Sequence, residues 1–368
     1  MGLLDRYRQF EALTEEEVNA GKRAEAAARR ARELEQVPPL DLSRTTWPGV
    51  PPPDVVGAIT FAARRGLHRY ADRDAGALRG ELAARHGLDA ARIVVGDGAA
   101  ALLESATRAL VEEAGDELIT PWPSYTLYPL MARRAHACPV PVAGFGVDAI
   151  LAAVNPRTRL VALCNPNDPT GELVPLAELR RLLVALPERA VVLLDEALRD
   201  YAVSEAVDDT LTLLEDHPRL IVFRSFSKAW GLAGLRVGYA IGGPGSEPLL
   251  EALAPSLGVG DLGQAGALEA VRGHGTLARS RGARVAALRT ELRDSLRELG
   301  YDVAPSEANV LWVAGPGGGA LAAKLQRLGV LVAPGAALGD DTRVRVTVPH
   351  TPELAGRVLR AAELARDL

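Results

Sequence analysis

The chain has 368 residues, 48% hydrophobic and 24% charged, with a formal net charge of −5. Apolar material is ample for a buried core, and the mild acidity offers no polycation to nucleic acid or an anionic membrane. No apolar run reaches membrane-spanning length, the charged start MGLLDRYRQFEALTEEE lacks a leader pattern, and the two cysteines, Cys138 and Cys164, make no disulfide framework, so a cytoplasmic small-molecule enzyme is expected. The six histidines are scattered without ligand spacing, which predicts no metal site. Of 42 basic residues only Lys22, Lys228 and Lys324 are lysines. Chemistry that needs an amine has three candidates.

In chain order, Thr14 and Glu17 form a capping box, and an Ala/Arg/Glu-rich helix is expected over residues 14–36 as a solvated or subunit-packing arm. A Pro-rich break at Pro48–Pro53 precedes helical patterns near Asp54–Gly66 and Gly76–His86. Apolar β-type runs then sit at Ile93–Val95, Glu117–Thr120, Leu160–Cys164, Ala190–Leu194, Leu220–Phe223 and Val237–Ile241, most of them separated by helical stretches. That alternation predicts parallel strands buried on both faces. After Gly242–Gly245 a long helix is expected from Gly266 to Leu299. Short strands follow near Val310–Val313, Val330–Val332 and Val344–Val348, the pattern of a smaller α+β domain. Gly315–Gly319 reads as a flexible loop.

In open α/β sheets ligands sit beyond the carboxyl ends of the strands. After the first run, Gly96-Asp97-Gly98-Ala99-Ala100 opens a helix whose bare amides suit a phosphate; lacking a third glycine, it is a weak dinucleotide signal. After the second, Tyr125 in Pro123-Ser124-Tyr125 either stacks on a planar ring or is an ordinary loop tyrosine. The third ends in Cys164-Asn165-Pro166-Asn167-Asp168-Pro169-Thr170-Gly171. This turn either offers hydrogen bonds to a ring substituent or is only a loop. The fourth delivers Asp195, a carboxylate that is costly at the end of an apolar strand unless paired. A protonated pyridine nitrogen would pair it and keep the ring able to accept electrons; a capping role is the alternative. The fifth ends in Ser225-Phe226-Ser227-Lys228, with Arg236 eight residues on. A lysine there suits an aldehyde cofactor held as a Schiff base. Ser225, Ser227 and Arg236 suit that cofactor's phosphate.

Together PSYTLY, NPNDPTG, DEA and SFSKAWGLAGLRVGY resemble the fold-type I pyridoxal-phosphate-dependent aminotransferases of class I/II, nearest to the histidinol-phosphate aminotransferase-like branch and its aromatic or general amino-acid relatives. The similarity spans roughly residues 40–350. It implies a helical arm over 1–37, and a three-layer α/β/α large domain with a mostly parallel sheet over 38–250 that binds pyridoxal 5′-phosphate. A smaller α+β domain over 251–368 completes the chain. Lys228 is then the Schiff-base lysine and proton shuttle, Asp195 the partner of the pyridine nitrogen, and Tyr125 the stacking ring. Ser225, Ser227, Arg236, Gly98 and the amides of Ala99 and Ala100 hold the phosphate. Tyr70 reaches the phosphate of a partner subunit, which implies a homodimer with shared active sites. Arg345 binds the substrate's carboxylate or phosphate, and Asn309 lies near the substrate.

The resemblance has three departures. Asp168 stands where the family has an asparagine donating to the cofactor's phenolic oxygen, so Asp168 or that oxygen is expected to carry a proton. Leu198 stands where it has a tyrosine donating to the same oxygen, with Tyr201 three residues on as a substitute donor. Ala100-Ala101 replaces a polar pair in the phosphate turn. The expected reaction is ping-pong amino transfer between an amino acid or histidinol phosphate and a 2-oxo acid such as 2-oxoglutarate. Alternatives are a decarboxylase resembling the threonine-phosphate type and a cofactor-binding relative with degraded catalysis. Ala333, after Gly-Val-Leu-Val, replaces an arginine frequent in the histidinol-phosphate branch and disfavours a phosphate-bearing substrate.

Overall fold

The computed structural model describes residues 38–315, 320–366 and 368, with helical residues 16–17, 19–23, 25 and 29 of the N-terminal arm. The rest of the arm and Pro316–Gly319 of the glycine-rich loop lie outside the described residues.

The central sheet is built from β2 (Ile93–Gly96), β3 (Glu117–Trp122), β4 (Cys138–Ala143), β5 (Thr158–Cys164), β6 (Val191–Asp195), β7 (Leu220–Ser225) and β8 (Gly238–Gly242). Their order is β2-β8-β7-β6-β5-β3-β4. The inner strands are apolar on both faces because each face has its own core. Leu160 and Ala162 of β5, Leu193 of β6 and Phe223 of β7 point into one. Val161 and Leu163, Val192 and Leu194, and Val222 point into the other. This is the period-2 alternation of a strand covered on both sides. One cover includes α3 (Ala99–Leu110), α4 (Leu127–Arg134) and α7 (Glu247–Leu253); the other includes α6 (Leu176–Ala185). No described helix is long and apolar enough to cross a membrane.

Two elements differ from the sequence expectation. Pro139 and Pro141 disguise β4, which lies at the sheet's edge, where a missing N–H is tolerated. The run at Val237–Ile241 forms β8, but β8 runs antiparallel to both neighbours, β2 and β7. The twelve-residue link from β7 to β8 carries only a 3₁₀ turn at Ala233–Leu235. It lacks the helix that usually carries a parallel crossover. This reversal matters for the site. It places the start of β8 at the edge where β2 and β7 end, with Gly238 opposite both Gly96 and Ser225.

Helices α1 (Pro53–Gly66) and α2 (Gly76–His86) pack on α8 (Asp261–Glu298), a 38-residue helix that kinks at His274. Gly266 lets α1 and α8 approach, since a Cβ there would lie 2.9 Å from Ile59. The C-terminal sheet has the order β12-β13-β10-β9, from β9 (Asp302–Val303), β10 (Val310–Ala314), β12 (Ala333–Pro334) and β13 (Arg343–Thr347). Helices α9 (Leu321–Arg327) and α10 (Pro352–Ala365) accompany it. Near the start of the chain β1 (Leu40–Asp41) pairs in parallel with β11 (Val330–Leu331).

Candidate active site

The carboxyl ends of the sheet converge on a cleft of about 180 Å³. Its lining includes Ala99, Ala100, Tyr125, Asp168, Asp195, Ser225, Ser227, Lys228 and Arg236. Residues separated by up to 137 positions thus meet where the sequence puts them one by one.

Asp195 closes β6 and is buried. Its Oδ1 accepts from Ala197 N at 3.0 Å and its Oδ2 from the Tyr128 hydroxyl at 3.0 Å. Burial pushes its pKa up, while these two donors and the nearby Lys228 charge pull it down. Tyr128 is the residue that strand-end reading missed; it sits three residues beyond Tyr125, and the two rings meet edge-on at 5.6 Å. The next residue, Glu196, is bound by Arg224 through Nε at 3.0 Å and Nη2 at 2.7 Å. This fully buried pair ties the end of β6 to the end of β7, fixing Asp195 against Ser225.

Lys228 follows β7, and its Nζ donates to Thr45 Oγ1. Burial lowers the amine's pKa below the ordinary lysine value. Thr45 and Thr46 come from the N-terminal segment, which no strand-end rule singles out; Thr46 also lines the cleft.

At the other end of the cleft Gly98 adopts φ +93 at the start of α3, whose first amides have no intrahelical acceptor. A Cβ on Gly98 would lie 2.7 Å from Arg236 Nη2, and one on Gly238 would lie 2.3 Å from Ala99 N. Both glycines therefore keep a cradle open. Arg236 holds left-handed backbone at φ 54, a strained choice for a non-glycine residue. Its Nη1 donates to Ala233 O at 3.1 Å and to Ser227 Oγ at 3.4 Å. Amides, two hydroxyls and a guanidinium around one small space fit a phosphate dianion. Lys228 lies on the same cleft, and Asp195 supplies the buried carboxylate that a pyridine ring nitrogen pairs with. The residues present fit pyridoxal 5′-phosphate.

The NPNDPTG turn divides its labour. Asn165 exchanges hydrogen bonds with Val174 N and O, at 2.8 and 3.0 Å. Asn167 donates to Pro123 O and Thr170 Oγ1, both at 2.9 Å, and accepts from Ser124 at 2.6 Å. Both asparagines shape the loop. Asp168 lines the cleft, and its Oδ1 takes a 2.6 Å hydrogen bond from Arg345 Nη1. A cation thus answers its charge, an arrangement not anticipated from the sequence. In β13 the alternation sends Val344 and Val346 into the core and Arg343 and Arg345 to the other face. Arg343 pairs with Asp302 and Asp340, whereas Arg345 reaches the cleft wall. Asn309 Nδ2 donates to Thr45 O at 3.0 Å. Leu198 lines the cleft as an apolar wall, while Tyr201 lines an adjoining pocket with Thr46, Trp47, Asn309 and His350. Tyr70 is apart from this group, 83% exposed at the surface beyond α1.

The model of the class I and II aminotransferases matches residues 38–361. An aromatic amino acid aminotransferase of Rhodococcus jostii is 40% identical over 310 residues, covering 82% of this chain and 84% of that protein. One from Cutibacterium acnes is 38% identical over 280 residues, 75% of this chain and 79% of that one. Among solved structures, histidinol-phosphate aminotransferase from Sinorhizobium meliloti in complex with pyridoxal-5′-phosphate has a TM-score of 0.78 at 27% identity, covering 93% of this chain and 94% of that one. The chain is therefore a pyridoxal-phosphate-dependent transaminase, and it belongs to the class I and II aminotransferases.

Proposed function

We propose that this enzyme moves the amino group of an aromatic L-amino acid to a 2-oxo acid such as 2-oxoglutarate. The meeting of Lys228, Asp195 and Arg236 on one cleft carries the reaction. The relatives from Rhodococcus and Cutibacterium, named for aromatic amino acids, support the donor. So does the adjoining pocket, where Trp47 and Tyr201 give a side-chain ring apolar surface to pack on.

When bound, pyridoxal phosphate supplies an aldehyde for the donor's amine and a ring that delocalises the negative charge left on the donor's α-carbon. The protein's part is to bind, orient and move a proton. Arg236, Ser225, Ser227 and the Ala99 and Ala100 amides anchor the phosphate end. Asp195 holds the proton of the ring nitrogen, and Tyr125 covers one face of the ring. Lys228, whose buried amine loses its proton more readily than an exposed one, relays a proton between the two carbons of the transfer. Asp168 would face the ring's phenolic side, Arg345 would take the substrate's carboxylate, and Asn309 would border the substrate.

The proposal also covers assembly and place. Phe61, Leu67 and Tyr70 are large hydrophobic side chains left exposed, which suits them to contact a second copy of the chain, with Tyr70 entering the neighbouring cleft. The working unit is a cytoplasmic homodimer. Residues 38–250 form the cofactor-binding part and 251–368 the smaller part, with residues 40–45 bonded to the smaller part through β11, Thr347, Arg345 and Asn309. The test is a panel of L-phenylalanine, L-tyrosine, L-tryptophan, L-aspartate and histidinol phosphate with 2-oxoglutarate, following glutamate formed and CO₂ released. Aromatic donors lead the panel if the proposal holds, and Lys228→Ala abolishes their turnover. Preference for a non-aromatic donor overturns the donor assignment, and CO₂ release in place of glutamate overturns the reaction.

A further inference from the structure

The carboxylate at 168 lies against the arginine assigned to the substrate. Arg345 Nη1 donates to Asp168 Oδ1, and Nη2 donates to Ser43 O, each at 2.6 Å. The two charged side chains are largely shut off from water, at 12% and 11% exposure. The remaining donor, Arg345 Nε, is buried without an acceptor among the described residues. Asn165 and Asn167, the other polar residues of the turn's first half, are bound inside the loop, so the Asp168 carboxylate is the group the turn offers to Arg345.

We propose that Asp168 is a resident carboxylate that competes with the substrate's own carboxylate for Arg345, and so tunes which amino donors the site accepts. The inference rests on the reading of this cleft as the transaminase site and of Arg345 as its carboxylate-binding group. An arriving carboxylate meets a guanidinium already neutralised. It must either displace the Asp168 oxygen, leaving that carboxylate without its guanidinium partner, or share one cation with a like charge beside it. Either course sets two carboxylates against one guanidinium in a nearly dry space. A neutral group of the same shape meets no such penalty. The pair therefore shifts preference toward amines and amino alcohols that carry no carboxylate next to the amine, relative to the same site with an uncharged residue at 168. Asparagine is the natural comparison: it has the same shape and leaves Arg345 its full charge.

The experiment uses two unreactive ligands of equal shape, 3-phenylpropionate and 3-phenylpropanamide, titrated calorimetrically into the holoenzyme and its Asp168→Asn variant. The acid should tighten about ten-fold or more in the variant, the scale of one charge-assisted hydrogen bond regained, with the amide unchanged. Asp168→Ala, which removes the carboxylate without adding an amide, should tighten the acid in the same direction and guards against a misfolded first variant. Acid affinity that stays the same in both variants overturns the inference. So does equal tightening of acid and amide, or an acid that binds no form of the enzyme. Turnover is not needed for this readout, so the two layers separate. A Lys228→Ala enzyme that still transaminates breaks the underlying reading, whereas an inactive one combined with an unchanged acid-to-amide ratio breaks this inference alone.

Discussion

Gly98 is the cradle position that faces Arg236 directly, and Gly98→Ala tests it. The residue sits at φ +93, ψ 157, a region held almost only by glycine. An added methyl group would lie 2.7 Å from Arg236 Nη2 and 3.4 Å from its Cζ. The guanidinium must then withdraw from the phosphate. A hydrogen bond to a charged group contributes about 1.5–3 kcal/mol. Losing one lowers cofactor affinity about 10- to 150-fold at roughly 1.4 kcal/mol per decade. Backbone strain adds about 1–3 kcal/mol. That strain burdens the folded protein with or without cofactor, so it lowers both melting temperatures and leaves the dissociation constant alone. Titration of the apoprotein with pyridoxal phosphate, followed by visible absorbance, reads the first effect; thermal melts read the second. Gly144→Ala is the control, because Gly144 has φ +85 and open space around its missing Cβ. Both variants should melt earlier, and only Gly98→Ala should lose cofactor affinity. An unchanged dissociation constant in Gly98→Ala, or an equal loss in Gly144→Ala, refutes the cradle.

Two further outcomes are expected. The folded apoprotein binds fewer protons at Lys228 than the unfolded chain does, between the lowered pKa and the ordinary 10.5, so stability rises with pH across that window. Lys228→Met should accordingly stabilise the apoprotein at neutral pH, with the advantage shrinking toward 10.5; urea melts across the pH series that show a constant or widening gap contradict this. Phe61→Glu combined with Leu67→Glu should turn a dimer into a monomer in sedimentation velocity, and a wild-type chain that sediments as a monomer removes the shared-site proposal.

The strand ends were readable from the sequence because each is a short apolar run followed at once by a polar group, the pattern at Leu194-Asp195 and Phe223–Lys228. What was not readable depends on distance or on disguise. Pro139 and Pro141 hide β4, since proline argues against a strand except at an edge, and edge position is a property of the whole sheet. The direction of β8 is hidden in the Val237–Ile241 run; the twelve residues after Ser225 hold only a 3₁₀ turn and no crossover helix. The hydroxyl of Tyr128 on Asp195 follows from a helical turn, not a strand end. The Arg345–Asp168 pair joins residues 177 positions apart, and no local pattern marks it. Each residue was visible alone, one as a departure and the other as an arginine; their mutual neutralisation exists only in the fold.

The parallel pairing of β1 with β11 makes a leash of the segment that follows it. Leu42 accepts from Thr347 N, Ser43 from Arg345 and Thr45 from Asn309, so residues 40–45 are laced first to β11 and then to the C-terminal sheet and its flank. The same six residues end in the hydroxyl that touches Lys228. Truncation just past residue 45 would unlace that sheet's border, free Arg345 from one of its two anchors, and take away the lysine's neighbour in a single cut. The beginning of the chain is in this sense a working part of its end.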